Sequence, residues 1–219
     1  MTILFVLLTF MIIMAITYYT KREQPADAQR VAVFAPGATP NMVRDLGFEI
    51  PKGYCFHPGH TWVLDEGRQN ARVGMDGFAA NLIGKIERIE VAGLNRWVRQ
   101  GQKVWSVTAN GQTFEMTSPI EGVVIAVNPE IQRDPNLIAQ DPYKEGWVCV
   151  VKSPDMAINL KNLMRESLVA PWMQNTLSRL TAMLPQMATA QDGGMPVAGL
   201  LGQVDAATQR TMIKEFFLS

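Results

Sequence analysis

Hydrophobic positions fall along the chain in four regimes, each with its own period. From Thr2 to Tyr19 the sequence TILFVLLTFMIIMAITYY holds 18 residues without a charge, and a helix rising about 1.5 Å per residue would make it roughly 27 Å long, the thickness of a bilayer core. This predicts a transmembrane helix over 1–20. Residues 21–52 follow as a linker and N-terminal extension; TKREQPADAQR at 20–30 has no apolar period, and Val31–Phe34 could add an outlying strand. Residues 53–155 switch to short alternating runs separated by turn signals, namely HTWVLD, ARVGM, KIERIEVA, KVWSVTA, TFEMTS, GVVIAVN and GWVCVVKS. Such runs predict a sheet domain. Within it MDGFAANLI breaks the alternation, and Phe78, Leu82 and Ile83 give it the face of one short helix. Residues 156–219 return to helical spacing. A first helix is predicted over Met156 to Val169, and a second just after Pro171 with Met173, Leu177, Leu180 and Leu184 on one face. QDGGMPVAGLLG at 191–202 reads as a loop, and Asp205 to Phe217 as a closing helix carrying Met212, Ile213, Phe216 and Phe217.

Composition sharpens this picture in two places. The 219 residues hold 20 basic and 20 acidic side chains, with an isoelectric point near 6.7 and a mean hydropathy of +0.03. There is no excess of cations for nucleic-acid phosphates, so no nucleic-acid partner is expected. A cleaved signal peptide needs a basic segment before its apolar run and small residues after it. Only Met1 and Thr2 precede this run and Tyr18-Tyr19 follows, so the segment reads as a retained anchor rather than as an export signal, the competing reading. Lys21, Arg22 and Arg30 come next, and the positive-inside rule then puts the soluble domain on the cytoplasmic side. Cys55 and Cys149 are too few for a disulfide scaffold and fit a reducing compartment, though spacing alone leaves their pairing open.

Several ordered blocks in the β-rich region resemble the glycine cleavage H-protein, a relative of lipoyl and biotinyl carrier domains. They are HTWV at 60–63, RVGMDGFAANLIG at 72–84, VRQGQKVWSV at 98–107, SPIEGVVIAVNPEI at 118–131 and DPNLIAQDPYKEGW at 134–147. The resemblance implies a mainly β fold, a flattened barrel-sandwich hybrid, here flanked by the transmembrane helix and C-terminal amphipathic helices. It also implies a lipoyl-bearing lysine at a hairpin tip, seven residues before the Ser of the SP dipeptide. Counting back from Ser118 gives Gly111, and Thr108 stands where the family has an acidic residue. Glycine has no amine to form an amide with lipoate, so no cofactor is expected. Asn110-Gly111 instead signals a tight turn of the type that needs positive φ at both central residues. Among other lysines, Lys85 and Lys103 fall near or within strands, and Lys144 in DPYKEG occupies a turn without the acidic neighbours of the family's acceptor.

Other chemistry is sparse. Cys55, His57 and His60 in YCFHPGH are the one compact set of metal-ligand types, short of the four ligands of a closed zinc site. Cys55 and His57 share a strand face but lack a third group to orient them as a nucleophile and base. Asp65, Glu66, Asp76, Glu87 and Glu90 are scattered and read as solvated. No phosphate loop, nucleophile elbow or dinucleotide fingerprint is present, so neither enzymatic activity nor a small-molecule substrate is expected. Thirteen methionines include a group in the tail, where flexible thioethers suit adaptable contacts. The tail's apolar faces must bury against the barrel, the membrane or another protein. Asn110, Gly111, Trp172, Met173, Phe216 and Phe217 are therefore the candidate interaction residues.

Together these readings predict a membrane-anchored, non-lipoylated module that serves as a structural or docking subunit beside other protein subunits of a membrane complex. One alternative is a regulatory decoy for glycine-cleavage or lipoate-handling enzymes. Another is a metal- or redox-linked accessory subunit using Cys55, His57 and His60.

Overall fold

The structure, a computed structural model, describes Met11, Ile13, Met14 and residues 42–45, 48–184 and 198–217. The chain divides into two compact units, Met1–Ala35 and Pro36–Ser219. In the first, Met11, Ile13 and Met14 are helical; the rest of the predicted anchor and the strand expected at Val31–Phe34 lie outside the described residues. Among the described residues no helix is long and apolar enough to cross a membrane.

The second unit is mainly β. A small antiparallel hairpin, β1 (Met42–Asp45) and β2 (Phe48–Pro51), precedes β3 (Tyr54–His57), β4 (Thr61–Gly67) and β5 (Asn70–Met75). After the short helix α1 (Gly77–Ile83) come β6 (Arg88–Val91), β7 (Trp97–Val98), β8 (Lys103–Ala109), β9 (Gln112–Thr117) and β10 (Gly122–Val127). Two single-turn helices, α2 (Glu130–Arg133) and α3 (Leu137–Gln140), lead to β11 (Cys149–Lys152). The tail supplies α4 (Met156–Leu160), β12 (Met164–Arg165), α5 (Val169–Met183) and α6 (Ala206–Phe217).

Seven strands pair in the order β12-β3-β4-β5-β11-β10-β7, and β6-β8-β9 form a second sheet. Alternation decides which residues meet, because successive side chains of a strand face opposite ways. In the register of the large sheet, Cys55, Val63, Val73 and Cys149 form one row. On the same inner face Ala71, Val151, Val124 and Val98 are buried in the main core. The small sheet closes that core with the row Ile89, Val107 and Phe114. Tyr54, Phe56 and Trp62 point the other way, into a second cluster with Tyr143 and Val169. Trp62 lies flat on Gly74, where a β-carbon would come within 2.5 Å of its ring, so only glycine admits the indole there.

The helix expected over MDGFAANLI forms, with the Asp76 side chain accepting from the Ala79 amide at its N-terminus. Phe78, Leu82 and Ile83 are buried as their spacing requires. The helix expected over Met156–Val169 does not run through. It stops after Leu160, residues Met164 and Arg165 pair with Phe56 and Cys55 as an edge strand, and a 3-10 turn over Glu166–Leu168 leads into α5. The sheet thus takes a strand from beyond residue 155, because pairing with β3 outweighs a local helical preference. Of the face expected along α5, Met173, Leu180 and Leu184 are buried and Leu177 is half-buried, with Val169 and Thr176 buried beside them, and the helix begins at Val169 rather than after Pro171, which lies inside its first turn. Asp205 caps α6 by accepting from the amides of Ala207 and Thr208, and Met212, Phe216 and Phe217 are buried. Arg179 of α5 and Glu215 of α6 pair at 2.6 Å.

Candidate functional site

The attachment point that the resemblance implies, counted back from Ser118, would fall at the tip of the β8–β9 hairpin, whose geometry follows from its sequence. Thr108 pairs with Thr113 and Ala109 with Gln112, leaving Asn110 and Gly111 as a two-residue turn. Their φ values of 50° and 71° are both left-handed, as the Asn-Gly pair leads one to expect. Val107 and Phe114 anchor the hairpin in the core, while the hydroxyls of Thr108 and Thr113 lie 3.2 Å apart on its other face. Lys103 lies at the far end of β8 from the turn, in an ion pair with Glu115. The tip itself presents a carboxamide and a hydrogen. Neither provides the amine that an amide to lipoate requires, so the residues at this position do not fit that group.

The tail packs along this hairpin. Gly202 lies so close to the Asn110 side chain that a β-carbon on it would be 2.5 Å from Asn110 Nδ2. The rings of Phe114 and Phe217 are 6.2 Å apart between centroids. Between hairpin and tail lies a cavity of about 250 Å³, with Asn110, Gln112 and Gln209 among the residues that line it. Gly199 donates its amide to Asn81 O of α1 at 2.8 Å, and Gly84 at the end of α1 lies directly against the Gly199 backbone.

The second locale is the β3–β4 corner. His60 takes a left-handed φ of 59° and turns its Nδ1 to Asp76 Oδ2 at 2.7 Å, both side chains fully buried. Its ring is sandwiched between Phe78, at 4.4 Å, and Trp172, at 4.9 Å, with Phe216 edge-on at 6.3 Å. His60 Nε2 is buried without a hydrogen-bond partner. His57 uses Nδ1 to accept from the Gly59 amide at 3.1 Å, an arrangement of the neutral ring. Burial, reinforced by the nearby His60, lowers its pKa to about 4.

Cys55, His57 and His60 are therefore not brought together. His60 is committed to Asp76, and among the described residues no group of three or more acidic, histidine or cysteine side chains is placed to hold a metal. Burial raises the Cys55 thiol above its ordinary value, with Arg165 opposing the shift, and pushes Cys149 up to about 12. Both thiols are free. They stand three strands apart in one row, about 14 Å at the usual strand spacing and too far for a disulfide.

Two acids expected in solvent are not there. Asp76 is fully buried because it both caps α1 and meets His60, and half-buried Glu66 pairs with Arg72 at 2.5 Å. The Asp76 cap was legible three residues ahead of Ala79, whereas nothing in the sequence tied it to a histidine 16 positions earlier. Of the six candidate interaction residues, Asn110 and Gly111 are exposed. Trp172 is half-buried against His60, and Met173, Phe216 and Phe217 are fully buried in the protein's own core. The tail's apolar faces bury against the barrel, the first of the three options their pattern left open.

Comparison with known proteins agrees with this architecture. The family model described as glycine cleavage H-protein matches residues 54–176. The glycine cleavage system H protein of Thermus thermophilus is 32% identical over 108 residues, covering 49% of this chain and 84% of its own length. That of Vibrio cholerae is 30% identical over 115 residues, covering 52% and 91%. The crystal structure of the H protein from Mycobacterium marinum superposes with a TM-score of 0.50 at 21% identity, over 58% of this chain and 98% of that one, a likeness of fold alone. With its matched segment running from the buried aromatic face of β3 into the first turns of α5, this chain belongs to the glycine cleavage H-protein family.

Proposed function

We propose that this chain is a membrane-anchored member of its family that bears no lipoyl group and acts as a structural or docking subunit of a membrane-associated complex. Its folded domain would lie on the cytoplasmic side, held by the apolar run Thr2–Tyr19. The observation that carries the reading is the hairpin tip, where Asn110 and Gly111 fill a tight turn and supply no amine. The packing of Gly202 against Asn110 adds to it, since a carrier's arm needs a tip free to present it to several enzymes. Without a carrier role the barrel still offers a rigid surface, and in this family the protein is a carrier rather than a catalyst.

Intact-mass spectrometry of the protein purified from its own membranes tests this directly. The mass of the unmodified chain is expected, and a covalent lipoyl group would overturn the proposal. Purification in mild detergent is expected to recover other membrane subunits at comparable stoichiometry. Glycine-cleavage or lipoate-handling enzymes recovered in their place would move the assignment to a regulatory decoy, a reading the tail-covered hairpin flank counts against.

A further inference from the structure

One face of the large sheet is covered at one end and bare at the other. Register places Tyr54, Leu64, Arg72 and Val150 in one row of this outer face, and Asn70, Lys152, Val123 and Trp97 in another. Over β3 and β4 the face is sealed by Tyr143, Trp147, Trp172 and Val169. Over β10 and β7 no described segment covers it. Trp97 is 45% exposed there, Leu94 just before it 55%, and Ile125, the bulged residue of β10, 38%. Val124 is buried in the core, so Val123 before it faces outward, while Ile125 is exposed at the bulge. Asn95 and Arg96 hydrogen-bond to both sides of Val124, which holds Leu94 and Trp97 beside them.

Cations surround this apolar edge. Lys152 shares the row with Trp97, and Arg96 and Arg99 flank it in sequence. α4 and the residues after it are tied to the adjoining loop through Gln100, which donates to Asn159 O and accepts from Asn162, and exposed Lys161 lies between these two partners in the chain. None of these four makes an ion pair among the described residues. The adjoining acids are half-buried Glu121 and exposed Asp155. An exposed indole and aliphatic side chains ringed by unpaired cations are the composition of a surface that sits in an anionic lipid interface.

We propose that the β7–β10 edge is a lipid-docking platform, on which Leu94, Trp97 and Ile125 enter the headgroup region while Arg96, Arg99, Lys152 and Lys161 meet anionic headgroups. The platform deepens the membrane reading above, because a domain tethered to a bilayer meets lipid at high local concentration. It also gives the domain a fixed orientation on the membrane.

The test uses the full chain in vesicles of phosphatidylcholine, with or without phosphatidylglycerol, whose acyl chains carry bromine as a quencher of tryptophan. The difference between the unmodified protein and Trp97→Phe isolates the Trp97 signal. The platform predicts quenching of Trp97 in anionic vesicles that weakens in neutral ones and at high salt. Arg99→Gln and Lys152→Gln should each lower the docked-to-undocked ratio roughly fivefold. Equal quenching of the two proteins in anionic vesicles overturns it, as does quenching indifferent to lipid charge. Shielding of Trp97 in native membranes but not in pure lipid also overturns it and hands the edge to a protein partner. Resistance to alkaline extraction reports the anchor separately, so a chain released by alkali yet still quenched at Trp97 would refute the anchor and keep the platform.

Discussion

His57 and His60 are three residues apart and held by opposite means. His60 has a carboxylate on one nitrogen and aromatic rings on both faces, whereas His57 is buried as a neutral acceptor. With its pKa lowered to about 4 in the fold against 6.5 when free, His57 takes up a proton on unfolding whenever the pH lies between these values. Its contribution is fully present above pH 6.5 and is lost as the pH falls toward 4. Between pH 7 and pH 5 unfolding should become easier by about 1 to 2 kcal/mol through this group, after allowing for its partial exposure. Urea midpoints measured across that range should show a slope that His57→Gln reduces; equal slopes in the two proteins would refute the assignment. The sequence made these histidines visible as a cluster with Cys55 but not their separate fates. That of His57 rests on the nearby Gly59 amide, whereas that of His60 depends on Asp76, Phe78, Trp172 and Phe216, which arrive from three different helices or their caps.

Among elements, those built on local signals were the readable ones. Asn110-Gly111 dictates its turn, Asp76 starts α1, and the alternating runs become β4, β5, β8, β9 and β10. What escaped depends on contacts distant in sequence. The two-residue β12 exists because β3 needs an edge partner, and β3 itself is only four residues long. The junction of α1 with the tail is likewise non-local. Gly84 has a φ of +81°, and a β-carbon there would be 2.6 Å from Gly199 Cα, so Gly84→Ala adds a backbone clash to the strain of a left-handed conformation. Gly53→Ala is the control, with a φ of +86° and open space around it. Gly53→Ala should cost about 1 kcal/mol, and Gly84→Ala at least about 2 kcal/mol more, accompanied by faster proteolysis after residue 198. Equal losses in the two variants would mean that the tail does not depend on this contact.

At the scale of the whole molecule, the decisive feature is that the helical tail belongs to the barrel's core. Its periodicity showed which faces were apolar but could not show what they met, since a helix stripe is equally satisfied by barrel, bilayer or partner. Phe216 reaches His60 and Phe78, and Phe217 reaches Phe114 of the hairpin, so the last turn of α6 clamps the corner and the hairpin together. A docking role for these rings and a core role predict different outcomes. If they held a partner, Phe217→Ala would leave the isolated protein's stability unchanged and weaken assembly. As core residues, each loses its buried volume to a cavity, and Phe217→Ala should destabilise the protein by about 3 to 5 kcal/mol, a large part of a typical domain's stability. Denaturant unfolding of the purified full chain separates the two, and a midpoint unmoved by Phe217→Ala would return the tail to the surface. The same variant should loosen the hairpin, because Phe114 would lose its neighbour. Faster amide exchange at residues 113–115 than at 123–125 would then locate the damage at the tip that the tail restrains, and not at the exposed β7–β10 edge of the other sheet.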